Sequence, residues 1–492
     1  MRKIISLAIV ALILVSCSDN LTDLNKNPKS AQVVEGQTLF SNALKNMTNT
    51  MNSTSVNLNV FKLYAQYWNE TTYLDEANYD LTGRAIPDNF WGSVYRDVLK
   101  DLDESAKLIA ADGALTADIK ANQLAIIEVW TVYSYSQLVV IFGDIPYSEA
   151  GKGYIDGVLK PKYDAQQDIY MDMLKEIEEG VAQLGSSSSL GASDLIFQGN
   201  TTKWKAWGNS MMLRLAMRLT KADSATAKAW AEKAVAAGTM TSNDHIAMVP
   251  HTDGPEGINK NGHGEVFDAD GNPRMSKTFV DWMKDDPRLP ILAARRSDKS
   301  TAIADLIGMP NGSTGATVAD TSIYAEPNRG VITGRDAPMV FQTYAEVRLL
   351  KAEMAFRGWS VPGDAKTHYE AGVKAAMQML SQLYTNAAVI SDAQVADYLA
   401  AKPYDAAKGW EMISEQYWAA TLLNEYESFS NWRRTGYPTL TPTNDPGNVT
   451  GGTIPRRLIY PTGEESTNAD NFAAAIARQG PNDFTTKVWW DK

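Results

Sequence analysis

The sequence predicts a mainly α protein, built of tetratricopeptide-like helix pairs that form one domain with long loop-rich insertions. Three observations carry that prediction. Apolar residues recur at helical spacing in segments that come two at a time, each pair taking roughly 35 to 45 residues. Small residues such as Ala352, Ala365, Gly372 and Ala376 stand where two helices would approach closely. Between the pairs run stretches rich in Gly, Pro, Asn and Asp, from Gly238 to Val340 and again after Tyr426, with little periodicity. Loops of that length in a compact protein are usually functional.

The chain opens with Arg2 and Lys3, then an apolar run from Ile4 to Val15 broken only by Ser6. A charged start and a short apolar stretch make a signal peptide. The run is too short for a spanning helix, which needs about 20 apolar residues. It ends in Leu14-Val15-Ser16-Cys17, the pattern of a lipobox, and Cys17 is the only cysteine. Residues 1–16 are therefore expected to be cleaved and Cys17 to carry a lipid anchor. Residues 17–35 read as a polar spacer, and the body is expected over 36–492. With Cys17 committed to lipid, no thiol remains for a disulfide or a thiolate metal site.

The first confident helix is "PDNFWGSVYRDVLKDLDESAKLIAADG", with Asp88 or Asn89 as N-cap and Trp91, Tyr95, Val98 and Leu102 on one face. A second, from about Thr116 to Phe142, is apolar nearly all round and reads as a helix enclosed by its neighbours. Asp164 and Gln167 read as a capping box for the next. Then come "NTTKWKAWGNSMMLRLAMRLT" with "DSATAKAWAEKAVAAG", which puts Trp204, Trp207 and Trp230 in the core. "FQTYAEVRLLKAEMAFRG" pairs with "DAKTHYEAGVKAAMQML", and a last pair spans about Asp392–Ala400 and Lys408–Tyr426.

The net charge of -12 and the lack of a basic run exclude a nucleic-acid partner, because phosphate binding needs clustered Lys and Arg. The four histidines are scattered, and no nucleophile elbow, phosphate loop or zincin motif occurs. Asp268, Asp270 and Asn272 imitate a calcium loop, but Pro273 stands where that loop needs Gly and Phe279 where it needs a carboxylate. Asp270-Gly271 reads instead as a hairpin turn. Acidic runs such as Glu176-Glu178-Glu179 read as solvated helix faces. No metal, cofactor or catalytic residue is expected. A glycoside hydrolase is the enzymatic alternative, and an adaptor without a small ligand the structural one.

The chain resembles the SusD/RagB-like outer-membrane lipoproteins, in the SusD-like nutrient-binding branch. The matching segments are "SCSDNLTDLNKNP", "FWGSVYRDVLKDLD", "IFGDIPYSEA", "PKYDAQQDIY", "WGNSMMLRLAMR", "YAEVRLLKAEMAFRGW", "NWRRTGYPTL", "IPRRLIYP" and "KVWWDK", in order over nearly the whole chain. The resemblance implies a surface-exposed, lipid-anchored outer-membrane protein that binds an oligosaccharide or oligopeptide. It implies delivery of that nutrient to a SusC-type TonB-dependent transporter.

Sugars and short peptides present flat apolar faces ringed by polar groups, which aromatic rings and Asn, Asp or Arg can match. That mixture is densest in "YAQYWNETTYLDEANYDLTGR", which supplies Trp68, Asn69, Tyr73, Asp75, Tyr79 and Arg84. Tyr64, Tyr67 and Trp68 also fit a helical core. Past Thr71 the periodicity fades, so Tyr73, Asp75, Tyr79 and Arg84 are expected to face solvent or ligand. The resemblance adds the long middle insertion, where Phe267, Tyr324, Arg329 and Arg335 are available, with Tyr324 expected opposite the early rings. Trp282 is expected to be packed, and Trp432, Trp489 and Trp490 to belong to the framework.

Overall fold

Helix α1, Gly36–Met51, turns Phe40, Ala43, Leu44, Met47 and Met51 inward. A computed structural model describes this and the rest of residues 34–53, 60–81, 83–253, 259–269, 271–312, 320–422, 424–443 and 447–492. The expected signal segment and Cys17 lie outside the described residues, as do the spacer up to residue 33 and Asp270 of the expected turn. The partner of α1 comes only after a long intervening loop. It begins as α2, Ile86–Gly92, and passes through a π-helical stretch, Ser93–Leu99, into α3, Lys100–Ala111. Pro87 is tolerated in the first turn, where backbone N–H groups have no helical acceptor. The expected cap at Asp88 or Asn89 is not used. The helix starts from Ala85, and Asp88 accepts hydrogen bonds from Thr462 N and Oγ1 instead, at 3.1 and 3.0 Å.

Helix α4, Ala117–Phe142, spans the stretch expected for it. It is long and apolar enough to cross a membrane, yet 78% of its apolar window is buried within the protein. Trp130 and Tyr133 stack at 4.7 Å inside it. Strands β2, Ile145–Pro146, and β3, Tyr163–Asp164, then pair antiparallel and lead into α5, Gln166–Gln183. The expected capping box is absent. Asp164 on β3 accepts from the Tyr147 and Ser148 amides, while Asp144 Oδ1 takes the Gln166 amide at 3.0 Å.

The pairs that follow are capped by their own side chains. Asn200 caps α6, Thr201–Arg218, and Asp223 caps α7, Ser224–Ala237. Trp204 and Trp207 are fully buried. Trp230 is only half-buried, because α7 turns it outward under Lys233, whose Nζ lies 4.0 Å from the ring. The middle insertion holds β4, Ala247–Val249, the short α8, Gly262–Ala269, and β5 to β7, Arg274–Met275, Ala293–Arg295 and Ala325–Pro327. It closes with β8, Met339–Gln342, which pairs back to β4. Thr343 caps α9, Tyr344–Phe356, and Asp364 caps α10, Ala365–Gln378. These two pack so closely that a Cβ at Gly372 would stand 2.7 Å from Leu349 Cγ.

Ser391 and Gln394 form a capping box for α11, Asp392–Ala401. The expected last helix stops early, as α12, Gly409–Ala420. Asn424 then breaks the run by capping a new helix, α13, Glu425–Thr435, with its Nδ2 on Phe341 O at 3.0 Å. The tail after Tyr426 is thus partly helical, with α14, Ala469–Gln479, near the end. Trp432 and Trp490 are buried, and Trp489 is half-buried against the core, as framework positions require.

Three of the resemblance-bearing segments meet as a buried ionic staple. Arg214 on α6 reaches Glu346 on α9 at 2.6 Å, and Arg218 reaches Glu427 on α13 at 2.6 Å. Arg434 on α13 pairs with Glu353 on α9 at 2.6 Å. Charges so deeply buried survive only when paired and hydrogen-bonded.

Candidate functional site

The loop inserted between α1 and α2 is described from residue 60 to residue 85, and two remote parts of the chain, near residues 272–275 and 441–443, hold it. Strand β1, Trp68–Asn69, pairs antiparallel with β5, putting Trp68 opposite Met275 and Asn69 opposite Arg274. Asn272 Oδ1 then accepts the amides of Thr71 and Thr72, both at 2.7 Å, and its Nδ2 donates to Thr72 O at 3.0 Å. On the other side the Gln66 side chain donates to Thr441 O, and Tyr79 OH accepts the Thr443 amide at 3.0 Å.

The backbone here is held where L-residues rarely go. Gln66, Tyr73, Tyr79 and Ala85 have φ of 55°, 59°, 64° and 52°. Elsewhere among the described residues only Gln198 and Lys299 do so without being glycine. Such conformations cost about 1–3 kcal/mol each and cluster at ligand clamps and active sites.

The loop brings together three of the residues expected from sequence. Tyr73 is 53% exposed, the Arg84 guanidinium lies 5.1 Å from its ring, and Asp75 stands exposed 3.9 Å from Arg84. Arg84 is anchored from below, its Nε donating to Glu76 Oε1 at 2.8 Å. Burial pushes the Glu76 carboxyl up to about 7 against the pull of Arg84. The result is an exposed ring with a cation braced on it and hydrogen-bonding groups at its edge.

Five of the residues offered for the site are not placed there. Trp68 and Asn69 are buried, at 4% and 1% exposure, because β1 pairing carries them under the loop. There Trp68 meets His263 and Phe267 edge-on, and Asn69 donates to Pro310 O. Tyr79 is buried at 2%, since the positive φ turns its ring in against Tyr64, 5.5 Å away and edge-on. Phe267 is buried on α8, with Arg329 over it at 5.2 Å. Tyr324 is half-buried beside β7, its carbonyl accepting from Arg296 N at 3.0 Å, and among the described residues no ring contact joins it to Tyr73. Arg335 stands 3.9 Å from Asp253. Trp282 is packed as expected, 5.7 Å from Trp418, with its Nε1 on Glu415.

Sequence reasoning missed a second concavity. A cavity of about 450 Å3 opens between α3, α4 and α5, lined by Tyr95, Tyr135, Tyr147, Glu128 and Glu176 among others. Glu176 is not simply solvated: carboxylate atoms of Glu128, Glu176 and Glu179 lie within 4.8 Å of one another. Burial, a hydrogen bond donated to Glu176 and the charge of that carboxylate push Glu128 up to about 8. No sequence signal could have found it, because Glu128 and Glu176 meet only through the packing of α4 on α5.

The fold is shared with solved structures. A chitin-binding protein superposes with a TM-score of 0.82 at 32% identity, covering 93% of this chain and 99% of its own. A SusD homologue from Bacteroides thetaiotaomicron gives 0.74 at 25% identity, with 93% and 99% covered. A chitin-binding SusD homologue from Flavobacterium johnsoniae gives 0.75 at 23% identity, with 92% and 98% covered. Among curated proteins no match is found. A family model for SusD-like proteins, described as starch-binding and associating with the outer membrane, matches residues 27–461, and the chain belongs to that SusD-like family.

Proposed function

We propose that residues 36–492 act as one nutrient-binding body that captures a glycan on the loop between α1 and α2, without cleaving it. On this reading the body is tethered through Cys17 to the outer membrane, faces outward, and passes its ligand to a SusC-type TonB-dependent transporter. The observation that carries the reading is the exposed Tyr73 ring, braced by Arg84 and flanked by Asp75, on a strained loop held by two remote segments. A sugar ring stacks on such a platform while its hydroxyls meet the guanidinium and the carboxylate. The relative at 32% identity bears a chitin-binding name, which favours an oligosaccharide of N-acetylated sugars over a peptide.

Calorimetric titration with chitin-derived, starch-derived and peptide ligands tests this. Tyr73→Ala should weaken binding about fivefold, the loss of roughly 1 kcal/mol of stacking. The far-ultraviolet circular dichroism should stay unchanged, because Tyr73 is exposed. Unchanged affinity in the variant moves the platform elsewhere, and ligand cleavage by the pure protein overturns the non-enzymatic reading.

A further inference from the structure

The cation that braces Tyr73 is itself held by a buried acid. Arg84 Nε donates to Glu76 Oε1 at 2.8 Å, and its guanidinium lies 5.1 Å from the centre of the Tyr73 ring. Glu76 is buried, whereas Asp75, 3.9 Å from the same guanidinium, is exposed and its attraction is screened by water. The hold on Arg84 therefore comes from below. Glu76 cannot follow the arginine outward, because a turn fixes its backbone. Asn78 N donates to Leu74 O at 2.9 Å, Tyr79 N to Glu76 O at 3.0 Å and Asp80 N to Asp75 O at 2.8 Å. Tyr73 and Tyr79, both at positive φ, bound that turn.

Charge on Glu76 is costly in this place. Burial disfavours it, and the second oxygen, Oε2, accepts no hydrogen bond. Burial pushes the carboxyl up to about 7, with Arg84 pulling against it and Asp75 and Asp80 adding to the push. From the short helix Phe61–Tyr64, Tyr64 faces Glu76, Asp80, Glu70 and Tyr79, and burial carries its phenol well above the ordinary value. Burial raises the Tyr79 phenol as well. Both phenols stay neutral through the range in which Glu76 changes charge.

We infer that Glu76 is a positioning residue that holds Arg84 against the Tyr73 ring only while its carboxylate is ionised. Protonation removes the opposite charge beneath the guanidinium and leaves it a neutral acceptor, so Arg84 is free to swing into solvent. The consequence for ligand rests on the reading proposed above: the platform is assembled above neutral pH and loosened below it. With a midpoint near 7, about one-tenth of the molecules carry the charge at pH 6 and about nine-tenths at pH 8. A ligand that needs the brace then binds up to about ninefold more weakly at the lower pH.

Aromatic 1H–13C spectra of the full-length protein labelled with 13C-tyrosine, recorded without ligand from pH 6 to pH 8, test the inference by themselves. Tyr73→Phe identifies the Tyr73 signals, which should shift with a midpoint near pH 7. Glu76→Gln mimics the protonated acid and should fix them at their acid position. Arg84→Gln leaves the acid without its transmitter and should abolish the shift too, which keeps the test open if a buried glutamine unsettles the fold. Tyr73 signals that stay put in the wild type, or that titrate equally in both variants, overturn the inference. Calorimetry with N-acetylchitohexaose at the two pH values then reads the coupling. Affinity should fall severalfold at pH 6 in the wild type and stay level in Glu76→Gln. A wild-type affinity that is level across this range overturns the coupling. A probe that fails to bind while Tyr73 still titrates supports the role of Glu76 and counts against the glycan reading alone.

Discussion

Glu427→Ala is expected to destabilise the protein by about 3–5 kcal/mol, the usual cost of stripping one partner from a buried charge network. Glu427 accepts from Arg218 Nη2 at 2.6 Å and from Tyr417 OH at 2.7 Å, and lies 3.5 Å from Arg214. Its loss leaves Arg218 uncompensated, and Arg218 Nη1 already lacks a partner. Burial alone would raise the Glu427 carboxyl, but Arg218, Arg214 and Tyr417 outweigh it and hold the pKa below the ordinary carboxylate value. A depressed acid pKa contributes stability above its unfolded value and loses it as pH falls through the folded one. The Glu427 contribution is therefore full at neutral pH and fades only in acid, below the ordinary glutamate range. Urea unfolding at pH 7 and at low pH reads both effects. A change below about 1 kcal/mol at pH 7 would make the network incidental.

Cys17→Ser should move the protein from the membrane fraction to the soluble fraction. Two or more acyl chains on one residue hold a protein durably, at about 0.8 kcal/mol per buried methylene, and nothing else described here would replace them. The apolar helix α4 cannot serve, because the fold encloses it. Fractionation of cells expressing each form, with intact mass of the native protein, gives the answer. A native chain with unmodified Cys17, or a serine variant that stays membrane-bound, contradicts the anchor.

Helices were legible wherever local chemistry decided them. Asn200, Asp223, Asp364 and Ser391 all accept a first-turn amide as N-caps, because a short polar side chain satisfying the first amides is a purely local event. Prediction failed where a remote partner outbid the local one. Asp164 was drawn to the Tyr147–Ser148 amides, and Asp144 took its place at α5. Asn424 split one expected helix into α12 and α13 by capping the second.

The candidate site divides the same way. Fading periodicity correctly marked where Tyr73, Asp75 and Arg84 emerge. It could not foresee that φ at Tyr79 would turn that ring inward, since its direction depends on the Thr443 amide, far away in sequence. Trp68 belongs to the core as its spacing allowed, but through strand pairing with Met275 rather than through a helix.

Whether ligand lands on the loop between α1 and α2 is read by hydrogen–deuterium exchange with and without a bound oligosaccharide. The expected result is slowed exchange across residues 70–84, where the backbone is strained and Tyr73 is exposed, with little change along α4 and α5. Protection confined to the cavity walls around Glu128 and Glu176, with residues 70–84 unaffected, would contradict it.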